Sequence, residues 1–425
     1  MSPLKNTLNR RSFGKLVLAG GASLCAPALI AAPKARIIVI GGGPGGATIA
    51  RYLKRDAPQL DVVLLEPKRN YTTCFFSNLY LSGFNTFESI THSYKPLRER
   101  YQVNLIHDRA EEIDPVAHLV RTKFGRTLGY DKLVVAPGID FKFEDIEGYG
   151  PDSLADIPHA YRGGWQSRLL KRKIQTMKEG GTFILCPPNG HYRCPPAPYE
   201  RASMVAWYLR HQNKAAKIII LDSKNKFSKQ DLFEEGWETH YPDMIEWLPM
   251  DITGGIKAVH PKSMEIITED EVFQADAANI IPPQKAGLIA HRAGLTDETG
   301  WCPIHPATME SKLARDIHVI GDAADAAAMP KSAVAANSQA KAVAMILRAE
   351  LTGSPAFEPK FRNACWSLIA PDDSVALGAS YKAGKDHFIT TGVYSSQTEE
   401  TRKTRRRAAR EARGWYAGVT KDIFG

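Results

Sequence analysis

The chain has 425 residues, 44% of them apolar, with 33 glycines, 27 prolines and a formal charge of +9. That length and composition exclude a disordered or collagen-like chain and leave room for about two or three packed domains. Nothing points to nucleic acid, because the basic residues are accompanied by no aromatic platform and no DNA-binding motif.

In chain order, the first element is a leader. Asn9-Arg10-Arg11-Ser12-Phe13-Gly14-Lys15 is a twin-arginine sequence ahead of a modestly apolar run, Leu16 to Ile30, that ends in small residues near Ala31 and Ala32. The run is short and broken by Gly20, Gly21 and Pro27, which argues against a retained membrane anchor. Residues 1–32 therefore read as a cleaved twin-arginine export signal. That route carries folded proteins, so a cofactor is expected to be inserted before delivery to the periplasm. Cleavage removes Lys5, Arg10, Arg11 and Lys15 and lowers the charge to about +5. It also removes Cys25, leaving Cys74, Cys186, Cys194, Cys302 and Cys365, an odd set for an oxidising compartment.

Arg36 to Ile40 predicts a strand running into Gly41-Gly42-Gly43-Pro44-Gly45-Gly46, followed by a helix over Ala47 to Lys54. A second strand, Asp61 to Leu65, ends in Glu66. Strand, G-x-G-x-x-G, helix, strand and acid make a complete dinucleotide-binding unit. Gly41 serves the tight turn, Gly43 the approach of a pyrophosphate and Gly46 the packing of helix on strand, while Glu66 is placed for a ribose hydroxyl. Just beyond, Asn70-Tyr71-Thr72-Thr73-Cys74-Phe75-Phe76-Ser77-Asn78 sets a lone thiol among aromatic residues, with no neighbouring Cys or His to make a zinc or haem motif. Two later segments, Leu133-Val134-Val135-Ala136-Pro137-Gly138 and Ile317-His318-Val319-Ile320-Gly321-Asp322, resemble the other fingerprints of the two-dinucleotide-binding flavoproteins. That resemblance narrows the dinucleotide to FAD and gives Asp322 the flavin's ribityl chain. The helix predicted over Ala333 to Leu347 would aim its amino end at the ring.

The middle third repeats the plan with one alteration. Strands over Gly181 to Cys186 and Lys217 to Leu221, the second ending in Asp222, flank a helix over Tyr199 to His211. The joining loop, Pro187-Pro188-Asn189-Gly190-His191-Tyr192-Arg193-Cys194-Pro195-Pro196-Ala197-Pro198, replaces glycines with five prolines. Proline removes amide donors, so this loop is poorly built to cradle a pyrophosphate and the unit reads as having lost NAD(P)H. Electrons must then enter from another donor. Cys194, beside Arg193 and just before a helix, is expected to favour its thiolate. Spacing leaves its partner open: Cys186 reads as a buried core thiol, Cys302 as either core or site, and Cys365 as part of a C-terminal region that must fold back over the flavin if it is to matter. Between Arg402 and Arg413 lie seven basic residues opposed only by Glu411, a run that reads first as a solvated helix face and second as a dock for an acidic partner.

Nearly all of the chain beyond the leader resembles the flavoprotein subunit of flavocytochrome c sulfide dehydrogenase. The resemblance rests on the Asn70 to Asn78 string, Arg193-Cys194-Pro195-Pro196-Ala197-Pro198-Tyr199-Glu200-Arg201-Ala202-Ser203, Ile281-Pro282-Pro283-Gln284-Lys285-Ala286-Gly287, Gly300-Trp301-Cys302-Pro303 and the terminal Asp422-Ile423-Phe424-Gly425. It implies that Cys74 is bonded through sulfur to the 8α carbon of FAD. It also implies that Cys194 and Cys365 form a redox disulfide beside the flavin, with Glu200 as a nearby acid–base group. Trp415 becomes either an aromatic wall at the ring or a plain core residue, and Cys186 and Cys302 stay spare. Hydrosulfide would open the disulfide and the electrons would pass through FAD to a haem. The chain has no C-x-x-C-H, so a c-type cytochrome partner is expected to carry it. The stretch from Lys382 to Arg413 is short and unusually basic for that family, which bears on the partner.

The expected architecture is α/β. It has a discontinuous FAD domain over 33–146 and 284–345, a NAD-binding-like domain over 147–283 and a C-terminal α+β interface domain over 346–425 covering the flavin and facing the cytochrome. No metal site is expected. The rivals are a sulfide:quinone oxidoreductase, which would need an amphipathic C-terminal helix for a bilayer, and a flavoprotein that binds and reactivates a sulfur-oxidising complex. An NADH-dependent disulfide reductase is the weakest option.

Overall fold

The computed structural model describes residues 35–425; the leader read over residues 1–32, with Cys25, lies outside the described residues. Strand β1 (Arg36–Ile40) enters helix α1 (Pro44–Asp56) through the glycine loop and is followed by β2 (Asp61–Leu65), the short helix α2 (Ser77–Leu81), β3 (Asn104–Ile106) and β4 (Lys132–Val135). Ile38 stands beside Val63 on one side and Leu133 on the other, all pairs parallel. Covered on both faces, such strands must be apolar throughout, which is why they read as continuous runs. Ile37, Ile38 and Val39 are fully buried, and each side chain contributes about 1.5–3 kcal/mol on leaving water.

The second unit is a parallel sheet of β5 (Thr182–Cys186), β6 (Lys217–Leu221), β7 (Ile245–Leu248) and β8 (Ala277–Ile280) in the order β7-β6-β5-β8, with α3 (Ala197–Gln212) between its first two strands. The chain then returns to the first sheet. Strand β9 (Ile317–Val319) pairs in parallel with β4, completing the order β9-β4-β1-β2-β3. The mixed α/β class and the discontinuity of the first unit are thereby observed.

Helix α4 (Ala333–Thr352) is capped by the Ser332 hydroxyl, which accepts from the Ala335 amide, and ends at Gly353 with φ +68°. It crosses the boundary expected at 345/346. The physical break is Gly353, which adopts the left-handed conformation that closes the helix. Beyond it, β10 (Lys360–Ala370), β11 (Asp373–Ala383) and β12 (Phe388–Ser395) form an antiparallel sheet, and α5 (Arg402–Phe424) closes the chain.

Helix α5 buries Ala408, Ala409, Ala412, Tyr416, Val419, Ile423 and Phe424, a helical stripe turned into the protein. Within its basic run Arg405 alone is buried, and the other six residues form the solvated face read from the sequence. Arg405 is buried and bridges Asp373 at 2.5 Å and Glu235 at 3.7 Å, Arg406 meets Asp372 at 2.9 Å, and Arg413 donates to the Pro371 carbonyl at 2.7 Å. Acids distant in sequence oppose these arginines and tie the helix to the turn between β10 and β11. At the far end, Asp422 accepts from Tyr52 of α1 at 2.8 Å and from Asn337 and Lys341 of α4 at 3.0 and 2.6 Å. The chain terminus is thereby locked against the helix that follows the glycine loop.

Candidate functional site

The glycine loop is fixed by two different causes. Gly41 has φ +96°, and a Cβ on it would lie 2.3 Å from the Ala136 carbonyl oxygen; a Cβ on Gly46 would lie 1.8 Å from the Gly41 oxygen. Both are demanded by the chain's own packing. A Cβ on Gly43, by contrast, would make only ordinary contact with the Tyr71 ring at 3.6 Å. Within the protein nothing forbids a side chain there, so the space above Gly43 is free for a phosphate to approach the start of α1. Glu66, at the end of β2, is held beside this loop: its carboxylate accepts from the amides of Gly42 at 2.8 Å and Lys68 at 2.9 Å.

Asp322 follows β9. One carboxylate oxygen lies 3.4 Å from Arg193, while the other is buried with no donor among the described residues. The Gln284 amide nitrogen and the Trp366 indole nitrogen are likewise buried without partners. An unsatisfied buried polar group costs about 1–3 kcal/mol. A ligand with hydroxyls against Asp322 and acceptors near Gln284 relieves that cost, and the ribityl chain and ring of a flavin dinucleotide have this chemistry. The residues present fit FAD.

Cys74 follows the strand Asn70–Thr72, which pairs with Thr91–Ser93. It is half-buried and lies within electrostatic reach of Tyr71, Arg193, Cys194 and Tyr416, so it faces the space that Arg193 and Asp322 border. Phe76, with φ +66°, stacks on Tyr416 at 4.3 Å, and Phe75 meets Trp415 at 5.9 Å. Trp415 in turn stacks on Trp366 at 5.8 Å. Trp415 therefore packs on Trp366, the residue after Cys365, and is partly buried against the core.

The proline loop delivers Cys194 with φ +54°, an uncommon conformation for a side chain with a Cβ. It is held by hydrogen bonds from the Cys194 amide to the Lys331 carbonyl at 2.8 Å and from the Arg193 amide to Gln284 at 2.9 Å. From the other side β10 delivers Cys365. The two residues meet, as free thiols joined by a hydrogen bond; the disulfide implied by the family resemblance is open in this structure.

The thiolate expected on Cys194 falls on its partner instead. The hydrogen bond from Cys194, with Lys229 and the Ser367 hydroxyl, pulls the Cys365 thiol down to about 6 against its burial. The same hydrogen bond and burial push Cys194 well up. Arg193 does not serve the adjacent cysteine: its guanidinium is directed to Asp322 and the Tyr161 carbonyl.

Glu200 lies in the first turn of α3. Its carboxylate accepts from the Leu368 amide at 2.9 Å and from Asn78 at 2.7 Å, and burial raises its pKa to about 7. Beside it, Arg201 is a buried guanidinium donating to Asn78, Asn279 and the carbonyls of His159 and Ala160. Sequence reasoning assigned Arg201 nothing, although it stands in the Pro-Tyr-Glu-Arg string. It also passed over Lys229, which is one of several lysines after β6 and carries no local signal.

In the second unit Asp222 is consumed internally. Tyr199 and Trp247 donate to one oxygen at 2.5 and 3.0 Å, and Lys224 to the other at 2.5 Å. The acid that would hold a coenzyme ribose is occupied. Cys186 and Cys302 are buried, and burial pushes both thiols up, Cys302 to about 12. Among the described residues no cluster of metal-ligating side chains occurs.

Two Rossmann-like sheets, a dinucleotide loop and a thiol pair between the second unit and a C-terminal sheet define a flavin disulfide oxidoreductase scaffold. Residues 35–172 match the model of the pyridine nucleotide-disulphide oxidoreductases. Residues 167–282 match the central region of the sulfide dehydrogenase [flavocytochrome c] flavoprotein chain, and residues 357–424 the flavin-binding region of flavocytochrome c sulphide dehydrogenase. The chain belongs to the sulfide-oxidising flavoprotein family, and it is an FAD-binding oxidoreductase. It is similar to the sulfide dehydrogenase [flavocytochrome c] flavoprotein chain of Chlorobaculum thiosulfatiphilum, 51% identical over 43 residues, 10% of this chain and 90% of that one. It is also similar to the mitochondrial sulfide:quinone oxidoreductase of Mus musculus, 25% identical over 324 residues, 71% of this chain and 67% of that one. The solved sulfide:quinone oxidoreductase of Aquifex aeolicus shares the fold, with a TM-score of 0.68 and 19% identity over 91% of this chain and 92% of that one.

Proposed function

We propose that the chain is the flavoprotein of a periplasmic sulfide dehydrogenase that oxidises hydrosulfide through Cys194 and Cys365 and passes electrons to a c-type cytochrome. The observation that carries this reading is the meeting of two thiols from remote elements beside the buried, unsatisfied groups of the flavin site. In the oxidised protein the pair is a disulfide. Hydrosulfide attacks one sulfur, the S–S bond breaks, and the other sulfur leaves as a thiolate with the electron pair. A persulfide then stands on the attacked cysteine, and a second hydrosulfide displaces its outer sulfur as a polysulfide. FAD, when bound, accepts two electrons and releases them singly, which matches a two-electron donor to a haem. Glu200, poised near 7 and coupled to Cys365, takes and returns the proton of the pair. The aromatic groups Trp366, Trp415 and Tyr416 shield the space from water.

Cys74 would tether the flavin through its sulfur. A covalent link retains the cofactor outside the cytoplasm, where a lost flavin is not replaced. The expected result is that flavin stays with the polypeptide after acid denaturation of the wild type and separates from a Cys74→Ser variant. Flavin released from the wild type removes the tether.

The rival acceptor is a quinone, favoured by the likeness to the mouse enzyme. Against it, α5 turns its apolar stripe into the protein and its arginines outward or onto acids of the C-terminal sheet, which gives a bilayer no amphipathic face to receive on that helix. No helix among the described residues is long and apolar enough to cross a membrane. The purified protein, given sulfide, is expected to reduce a c-type cytochrome and to leave a soluble quinone analogue unreduced. The reverse preference overturns the cytochrome assignment.

A further inference from the structure

Lys229 takes the first position before the helix Gln230–His240 with φ +64°, and from there its side chain leaves its own unit and reaches the C-terminal sheet. Its ammonium lies 3.3 Å from the Cys365 carbonyl, 3.2 Å from the Ser367 hydroxyl and 3.4 Å from the Val375 carbonyl. All three acceptors are neutral, and among the described residues no carboxylate accepts from this ammonium. Ser367, two residues after Cys365 on the same face of β10, completes the chain by hydrogen-bonding the Cys365 sulfur. That sulfur therefore receives hydrogen bonds from both Cys194 and Ser367, with a fixed positive charge directly behind the serine.

We propose that Lys229, acting through Ser367, is a positioning residue that places the negative charge of the reduced cysteine pair on Cys365 and leaves the proton on Cys194. The proposal rests on the reading of this pair as the redox centre and adds the residue that makes it asymmetric.

Every group that faces Cys365 bears on the result. Cys194, from the proline loop, donates to it. Lys229 attracts its charge, while Glu200 of α3, once ionised, repels it; the charge in turn acts on Tyr394 of β12. Lys229 is the cation that acts on the Cys365 sulfur, whereas Arg201 acts on Glu200 and Cys194, so removing Lys229 leaves the Cys365 charge beside an acid without its own counter-charge. A thiolate is the form that reacts with sulfur electrophiles and alkylating reagents, so the asymmetry is directly readable.

The test uses the complete flavin-bearing protein with the pair reduced. Iodoacetamide labelling is followed across pH, with the labelled cysteine located by mass spectrometry. In the wild type Cys365 is expected to be labelled first, with a midpoint near 6. Lys229→Gln keeps a hydrogen-bond donor without charge and is expected to raise that midpoint by at least about one unit, about a fivefold loss of Cys365 labelling at pH 6. Lys229→Arg is expected to restore it. A purely structural latch between the helix and the sheet predicts a different pattern, lower thermal stability in Lys229→Gln with an unmoved midpoint, and that result overturns the proposal. Labelling of Cys194 ahead of Cys365 in the wild type overturns it equally. Neither readout involves sulfide, so an enzyme that oxidises sulfide yet labels the wrong thiol keeps its function and loses this assignment.

Discussion

Cys194→Ser and Cys365→Ser are each expected to lower the rate of sulfide-dependent flavin reduction by at least about a thousandfold while the flavin stays bound. Serine matches cysteine in shape, so the left-handed turn at residue 194 and the strand pairing of residue 365 with Leu377 persist. What is lost is the sulfur that can be oxidised. A hydroxyl forms neither half of a disulfide nor a persulfide, and the remaining thiol alone offers hydrosulfide no bond to break. Residues that act as one unit give non-additive losses, so the double variant is expected to be no slower than either single one. Rapid-mixing absorbance with sulfide as the only reductant measures this. A single variant that retains a tenth of the wild-type rate would show that sulfide reaches the flavin by another route. The control is the flavin spectrum before sulfide is added, since the glycine loop, Glu66 and Asp322 do not depend on either sulfur.

The parts of the site that were legible in the sequence are those set by local rules. Strand, glycine loop, helix and acid from Arg36 to Glu66 are neighbours in sequence and in space, and their spacing carries the reading. The five prolines did the same for the second unit, and the three donors on Asp222 supply a second, non-local reason for the same outcome that no spacing could reveal. The meeting of Cys194 with Cys365 depends on how β10 docks against α3, a long-range packing event, and only the family resemblance brought the two together. The charge distribution within that pair was misread for the same reason. Arg193 is adjacent to Cys194 along the chain but is turned toward Asp322, whereas Lys229 acts on Cys365 from another unit. In the basic run after Arg402 the solvated face was legible, but the anchoring of Arg405 and Arg406 was not, because Asp372, Asp373 and Glu235 are distant in sequence. The boundary at 345/346 is a different case. The helical pattern runs on to Thr352 and Gly353 marks its end, so the signal was present in the chain.

Glu200→Gln is expected to remove both a pH dependence of stability and most of the proton transfer at the pair. Burial raises the Glu200 carboxyl from its ordinary 4.5 to about 7, so the folded protein binds a proton there that the unfolded chain has released. The sign follows directly: this group's contribution to stability is complete below pH 4.5 and is lost as pH rises through 7. A shift of that size corresponds to roughly 3 kcal/mol. Glutamine cannot titrate, but it turns an amide NH2 toward either Asn78 or the Leu368 amide, a fixed penalty of about 1 kcal/mol at every pH. The variant should therefore be less stable than the wild type at pH 4 and more stable at pH 8. Urea unfolding is best done on the oxidised protein. In the reduced protein Cys365, whose thiol is pulled down, gains stability over part of the same range and masks the slope. For catalysis, the loss of a positioned acid–base group is expected to slow turnover by about a hundredfold and to abolish the inflection near pH 7 in the rate profile. Parallel stability curves for the two proteins would mean that Glu200 is ionised in the folded state at neutral pH, and the proton path assigned to it would then have no acid to return the proton.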